Sequence, residues 1–232
     1  MGSGEPATLY LHGGGCVLGS AYGYRPVVSG FVMADGAGVL VPDYRLAPEH
    51  PYPAAIEDAL AAYRWLVARA PSDVVIVADS SGCHLALNVL LTTRELGDAM
   101  PAGVVLMCPS TESPGGLLAS QDGQATVDPI VLTDEAYRAN LSDLTSLPPM
   151  LIQAARGDAA VEDARSLAKR AREDGVEVTI EEYPTDPHMF QMFWSFLPEA
   201  AEAMTSVRDF IQARLTSAVG DGALQFDGEV GS

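Results

Sequence analysis

The stretch that most constrains this chain is Val74-Val75-Ile76-Val77-Ala78-Asp79-Ser80-Ser81-Gly82-Cys83-His84-Leu85-Ala86-Leu87. Its run of β-branched aliphatics predicts a strand buried on both faces, as in a parallel sheet, and the apolar, helix-spaced segment after it predicts a helix. Ser80 stands where one becomes the other. The small residues two before and two after it let the chain fold sharply back; Gly82 fits the pattern G-x-S-x-G, and Ala78 departs from it by one methyl. On such a turn a serine hydroxyl is pushed out at the carboxyl end of the sheet. The next N–H, at a helix N-terminus, points at any negative charge forming beside it. Serine is also a common helix cap, so the stretch by itself leaves a nucleophile and a cap both open.

The rest of the chain bears on that choice. Ala7-Thr8-Leu9-Tyr10-Leu11 predicts a short strand running into His12-Gly13-Gly14-Gly15. Three glycines after a strand imply backbone conformations or approaches that a Cβ would forbid. A phosphate loop would end in Gly-Lys-Ser/Thr, which is absent, and the glycines are one residue too widely spaced for the dinucleotide pattern G-x-G-x-x-G. The remaining use is a loop of bare N–H groups that receives an oxyanion.

Further strands are predicted at Gly38-Val39-Leu40-Val41-Pro42, at 103–108, at 150–154 and at Val178-Thr179-Ile180-Glu181-Glu182-Tyr183, the last alternating as a sheet-edge strand does. Helices are predicted over 54–69, after Ser80, over 132–140, over 161–174 and from the 190s to about Leu215. Arg45 and Glu49, in a proline-rich loop, read as an ion pair bracing the site. This alternation of strand and helix predicts an α/β fold with a parallel sheet covered on both faces, whose reactive residues lie on loops at the strands' carboxyl ends. Ser80, Asp158, His188 and the triple glycine all fall on such loops.

Composition narrows the partners. A formal charge of −18 with only 13 Lys and Arg excludes nucleic acid and anionic membranes. Cys16, Cys83 and Cys108 are odd in number, lack metal-ligand spacing and read as reduced thiols. With no signal segment and no apolar run near the ~20 residues a bilayer needs, the expectation is a cytoplasmic protein with no membrane partner. Asn140-Leu141-Ser142 is a glycosylation pattern without consequence in that compartment.

His12-Gly13-Gly14-Gly15, Tyr44-Arg45-Leu46-Ala47-Pro48-Glu49 with its His50-Pro51-Tyr52-Pro53 extension, Asp79-Ser80-Ser81-Gly82 and Leu147-Pro148-Pro149 together resemble the hormone-sensitive-lipase branch of the α/β-hydrolases, the bacterial family IV esterases. The resemblance runs from about Ala7 to Leu215. It implies a nucleophile at Ser80, a histidine at His188 in its Pro-His-x-Phe loop, and an acid just ahead of the acidic pair Glu162-Asp163, hence Asp158, with Asp163 and Asp186 as weaker candidates. It further implies an oxyanion hole from Gly14, Gly15 and Ser81, no metal or cofactor, and a carboxylesterase acting on a small-molecule ester. Ala78 and Cys83 stand where the family has glycine, and Cys16 where an aromatic follows the triple glycine.

The family carries several dozen residues ahead of the triple glycine, whereas eleven precede His12 here. The resulting expectation is a leader over 1–6, one α/β-hydrolase domain over 7–217 with a reduced cap at about 111–140, and a disordered tail over 218–232. The sheet should have about six strands, all parallel, without the N-terminal cap and first strands. Its Gly38 edge would be apolar and uncovered, open to a second copy of the chain in a homodimer. An open, shallow site would favour short acyl chains. Two other functions remain open at this point: a non-catalytic ligand-binding protein on the same scaffold, and hydrolysis of an amide, formamide or carbamate by the same three residues.

Overall fold

A computed structural model describes residues 6–32, 38–70, 74–110 and 143–221. Among the described residues the elements are, in chain order, β1 (Pro6–Leu11), α1 (Arg25–Ser29), β2 (Gly38–Leu40), α2 (Ala54–Val67), β3 (Val75–Asp79), α3 (Gly82–Leu96), β4 (Gly103–Met107), β5 (Met150–Ala155), α4 (Val161–Glu173), β6 (Val178–Tyr183) and α5 (Pro198–Asp221). The strands form one sheet in the order β2-β1-β3-β4-β5-β6, every neighbouring pair parallel. The expected six-stranded parallel sheet is therefore present, with the Gly38 strand at one edge and the Val178 strand at the other.

Strand alternation sorts the core into two layers. Leu9, Leu11, Ile76, Ala78, Leu106 and Ile152 face α2, α3 and α4, where Ala59, Leu66, Leu87 and Leu167 meet them. Tyr10, Val75, Val77, Val105 and Leu151 face the other way, onto α1, α5 and Phe190. The central strands β3, β4 and β5 are buried along their whole length, which is why their sequences read as unbroken apolar runs. Strand β6 is only partly buried, as its alternating sequence predicts.

Two details differ from the sequence-based expectation. Arg45 does not pair with Glu49; its guanidinium spans Glu57 at 3.0 Å and Asp58 at 2.9 Å, both one helical turn into α2. A planar fork with several donors engages two carboxylates offered side by side by a helix better than one on its own loop. The final helix begins only at Pro198, after a short 3-10 turn at Phe190–Phe193, and runs past Leu215 to Asp221. Residues 1–5 of the leader expected over 1–6, the cap at about 111–140 with its helix and the Asn140 pattern, and residues beyond 221 of the tail expected over 218–232 lie outside the described residues, whereas Pro6 opens β1 and 218–221 continue the last helix.

The turn from β3 into α3 demands glycine at its first helical residue. A Cβ on Gly82 would collide with the carbonyl oxygen of Leu11 and sit 2.6 Å from that of His12, at the end of β1. Replacing Gly82 by alanine is expected to cost about 3 kcal/mol through this backbone clash. In a chain of this size that lowers Tm by roughly 6–12 °C. Thermal unfolding checks it, and an unchanged Tm would refute the close approach.

Candidate active site

The residues singled out from the sequence converge at the carboxyl end of the sheet. Strand β3 ends at Asp79, and Ser80 leaves it with φ +50°, a left-handed backbone that non-glycine residues rarely adopt. Its N–H still donates to the Met107 carbonyl of β4 at 2.9 Å, so the turn is anchored before it departs. Ser81 is the N-cap residue of α3, but its side chain makes no capping hydrogen bond. Ser80 Oγ instead lies 2.9 Å from His188 Nε2. The helix-cap reading of these serines is thereby set aside.

His188 sits in the loop after β6 and Asp158 in the loop after β5. His188 Nδ1 is 2.6 Å from Asp158 Oδ2. Because a carboxylate only accepts, this contact places the ring proton on Nδ1 and leaves Nε2 as an acceptor facing the Ser80 hydroxyl. Asp158 Oδ1 accepts the Ala160 N–H at 3.1 Å, and the side chain is 3% exposed against 26% for His188. The two weaker acid candidates lie elsewhere: Asp163 is in the first turn of α4, and Asp186 packs its carboxylate against Gly157.

The triple glycine follows β1 directly. Gly14 and Gly15 take φ +104° and +65°, conformations that glycine reaches without steric cost. Together with Ser81 they border a pocket of about 250 Å³ that also touches Ser80, His188, Tyr24, Ser110 and Met192. The N–H groups of Gly14, Gly15 and Ser81 donate to no group among the described residues. The loop itself is held from two sides. The His12 ring lies between Tyr24 and Tyr44, with centroids at 4.9 and 4.3 Å, its Nδ1–H donating to the Gly13 carbonyl at 2.7 Å. The Tyr44 hydroxyl donates to the His12 carbonyl at 2.7 Å. Burial lowers the His12 pKa, which favours the neutral ring.

Sequence reasoning missed the groups that support this arrangement. Gln191, just after the His188 loop, donates to Gln153 Oε1 at 3.2 Å, and Gln153 donates to Glu181 at 3.0 Å and to the Ala203 carbonyl at 2.9 Å. This polar chain ties the His188 loop to β5, β6 and α5. A glutamine in the apolar run Met150–Ala155 is the only trace of it in the sequence. Tyr10 and Asp79, joined by a 2.6 Å hydrogen bond beneath the glycine loop, were likewise unremarked.

Cys108, Asp158 and His188 present a sulfur, a carboxylate oxygen and a ring nitrogen within 4.8 Å of one another. They make a poor metal site. Asp158 and His188 are engaged with each other at 2.6 Å, and burial pushes the Cys108 thiol up to about 12, far from the thiolate a metal takes. Burial raises the Cys83 thiol as well. His84, beside it, is driven down to about 4 by burial and stays a neutral ring inside the fold.

A family model described as "alpha/beta hydrolase fold" matches residues 8–192. The chain belongs to the bacterial hormone-sensitive-lipase branch of the α/β-hydrolases. It is 35% identical to an acetyl-hydrolase of Streptomyces hygroscopicus, over 92% of this chain and 76% of that protein. It is 31% identical to an esterase of Acinetobacter venetianus, over 87% of this chain and 73% of that protein. Among solved structures, a hormone-sensitive lipase from a metagenome library superposes with a TM-score of 0.78 at 33% identity, covering 92% of this chain and 79% of the other. No helix among the described residues of this hydrolase is long and apolar enough to cross a membrane.

Tyr44→Phe leaves the buried His12 carbonyl without its donor. The expected cost is about 1–2 kcal/mol in unfolding free energy, together with slower turnover as the glycine loop loosens. Denaturant unfolding alongside ester hydrolysis measures both, and wild-type values in each would show that the hydroxyl does not hold the loop.

Proposed function

We propose that this hydrolase cleaves short-chain carboxylic esters by an acyl-enzyme route, with Ser80 as nucleophile, His188 as general base and then general acid, and Asp158 as the group that orients His188. That the chain is a carboxylesterase accords with its family and with relatives that carry that name at 31% identity. The observation that carries the finer reading is the pair of contacts made by His188, 2.9 Å to Ser80 Oγ and 2.6 Å to Asp158.

In this reading an ester carbonyl enters the pocket beside Gly14, Gly15 and Ser81. As Ser80 Oγ attacks the carbonyl carbon, its proton passes to His188 Nε2, and Asp158 balances the imidazolium that forms. The oxyanion is received by the N–H groups of Gly14, Gly15 and Ser81, each supplying about 3 kcal/mol of transition-state stabilisation by analogy with measured donors. Collapse of the tetrahedral intermediate expels the alcohol, which takes the proton from His188. Water, deprotonated by the same imidazole, then hydrolyses the acyl-enzyme and restores Ser80. No step calls for a metal or cofactor. The pocket of about 250 Å³ suits acetyl and butyryl groups better than a long acyl chain.

Hydrolysis of p-nitrophenyl acetate, butyrate and palmitate tests this. The short esters should turn over, the palmitate poorly, and a chelator should change nothing. Ser80→Ala should abolish the acyl-enzyme route, and Asp158→Asn should lower kcat about 10³–10⁴-fold by leaving the imidazole in the wrong tautomer. Equal turnover by the wild type and Ser80→Ala would sink the proposal.

A further inference from the structure

Beneath the glycine loop lies a carboxyl group that the route above does not use. Asp79 closes β3, immediately before Ser80, and is fully buried. Its Oδ1 accepts two hydrogen bonds, from the Tyr10 hydroxyl at 2.6 Å and from the Gly13 N–H at 2.9 Å. Its Oδ2 has no hydrogen-bond partner among the described residues and is pressed against Gly13, at the point where a side chain on that residue would begin. The residue also borders the pocket that holds Ser80 and His188.

A buried acid with one oxygen unsatisfied is a costly way to hold a loop, since a neutral acceptor would serve the same two donors. Its charge therefore has a use. The ionisable groups facing it are Tyr10 of β1, Tyr24 of the segment before α1, Cys83 of α3 and His188 of the loop after β6. Burial raises the two tyrosines and the cysteine, so they stay neutral at ordinary pH. Among these groups His188 alone takes on a positive charge.

We infer that Asp79 is a positioning residue for ester hydrolysis: ionised, it clamps the Gly13 N–H so that Gly14 and Gly15 stay beside Ser80, and its charge favours the imidazolium formed on His188. This rests on the reading of Ser80 as nucleophile and His188 as base. Burial is the largest influence on the Asp79 carboxyl and pushes it up to about 7, against the opposing effects of Tyr10, Gly13 and His188. Its ionisation then falls within the working range, so kcat/KM should fall as pH drops through the titration of the Asp79 carboxyl.

An acid raised from 3.8 to about 7 on folding leaves the native state holding more protons than the unfolded chain between those values, so stability falls as pH rises through that window. Asp79→Asn removes this cost. It should therefore melt no lower than wild type at pH 8 while losing tenfold or more in kcat with KM within about twofold. Its kcat/KM should lose the part of the acid limb that the Asp79 carboxyl contributes.

Tyr10→Phe, which keeps the carboxyl but removes one donor to its charged form, should move that part of the acid limb to higher pH. In the wild type the Gly13 amide proton, followed by NMR, should shift with pH at the same midpoint as the limb. That shift should be absent from Asp79→Asn. Wild-type kcat in Asp79→Asn, or activity lost only in step with Tm and with an unchanged pH profile, would overturn the inference. If Asp79→Asn does not fold, the Tyr10→Phe profile and the wild-type amide titration decide it. If Ser80→Ala proves as active as wild type, the nucleophile reading fails, while the amide titration still reports whether the Asp79 carboxyl ionises against Gly13.

Discussion

The close approach of α3 to the end of β1 is the constraint on which this site depends. With no side chain at Gly82, the first turn of α3 lies against the carbonyls of Leu11 and His12. That contact puts the Ser80 turn and the glycine loop in register, though they come from different strands. The adjacent strands fix the rest: β1 pairs with β3 through Leu11 and Ala78, and β3 with β4 through Asp79 and Met107. Parallel strands bring their carboxyl ends to one side of a sheet, so a loop after each is carried to the same place. A site assembled in this way needs no long-range design beyond strand order.

Backbone strain is concentrated where this geometry is tightest. Among the described non-glycine residues with positive φ, Cys16 follows the triple glycine, Ser80 is the turn itself, Cys108 follows β4 beside Asp158, and Met189 follows His188, whereas Ser146 lies away from the site. Each such conformation costs of order 1 kcal/mol or more and persists because the surrounding packing over-determines it. Here all four neighbouring positions are buried, and Ser80 and Cys108 are fixed by backbone hydrogen bonds to β4 and β5 at 2.9 and 2.7 Å. The core layers on both faces of the sheet supply that restraint.

These relations explain what the sequence made legible. Local features were readable: the apolar runs of β3, β4 and β5, the helix periodicity of α2 and α4, and the small residues around Ser80 all act within a few positions of themselves. The bounds slipped where local signals are weak. The last helix started after an intervening 3-10 turn and outran Leu215, because no glycine or proline stops it there. The Arg45 partner was misassigned because the acids that hold it, Glu57 and Asp58, come near it only once α2 folds back. The polar chain from Gln191 through Gln153 to Glu181 could not be read at all, since each member looks like an isolated polar residue until β5, β6 and α5 meet.

The two sets of polar contacts that flank the site differ in weight. The Arg45 bridges to Glu57 and Asp58 are half-exposed and contribute little against solvent screening. The Gln153 and Gln191 amides are fully buried, so any one of their bonds, if broken, leaves a desolvated donor or acceptor at a cost of about 1–3 kcal/mol. That asymmetry makes the His188 loop the stiffer of the two. The buried amides act on the loop that carries His188, whose Nε2 lies 2.9 Å from the Ser80 hydroxyl. The loop braced by Arg45 reaches the site through Tyr44, whose hydroxyl donates to the His12 carbonyl, and through the Ala47 N–H, which donates to the Cys16 carbonyl at 3.0 Å.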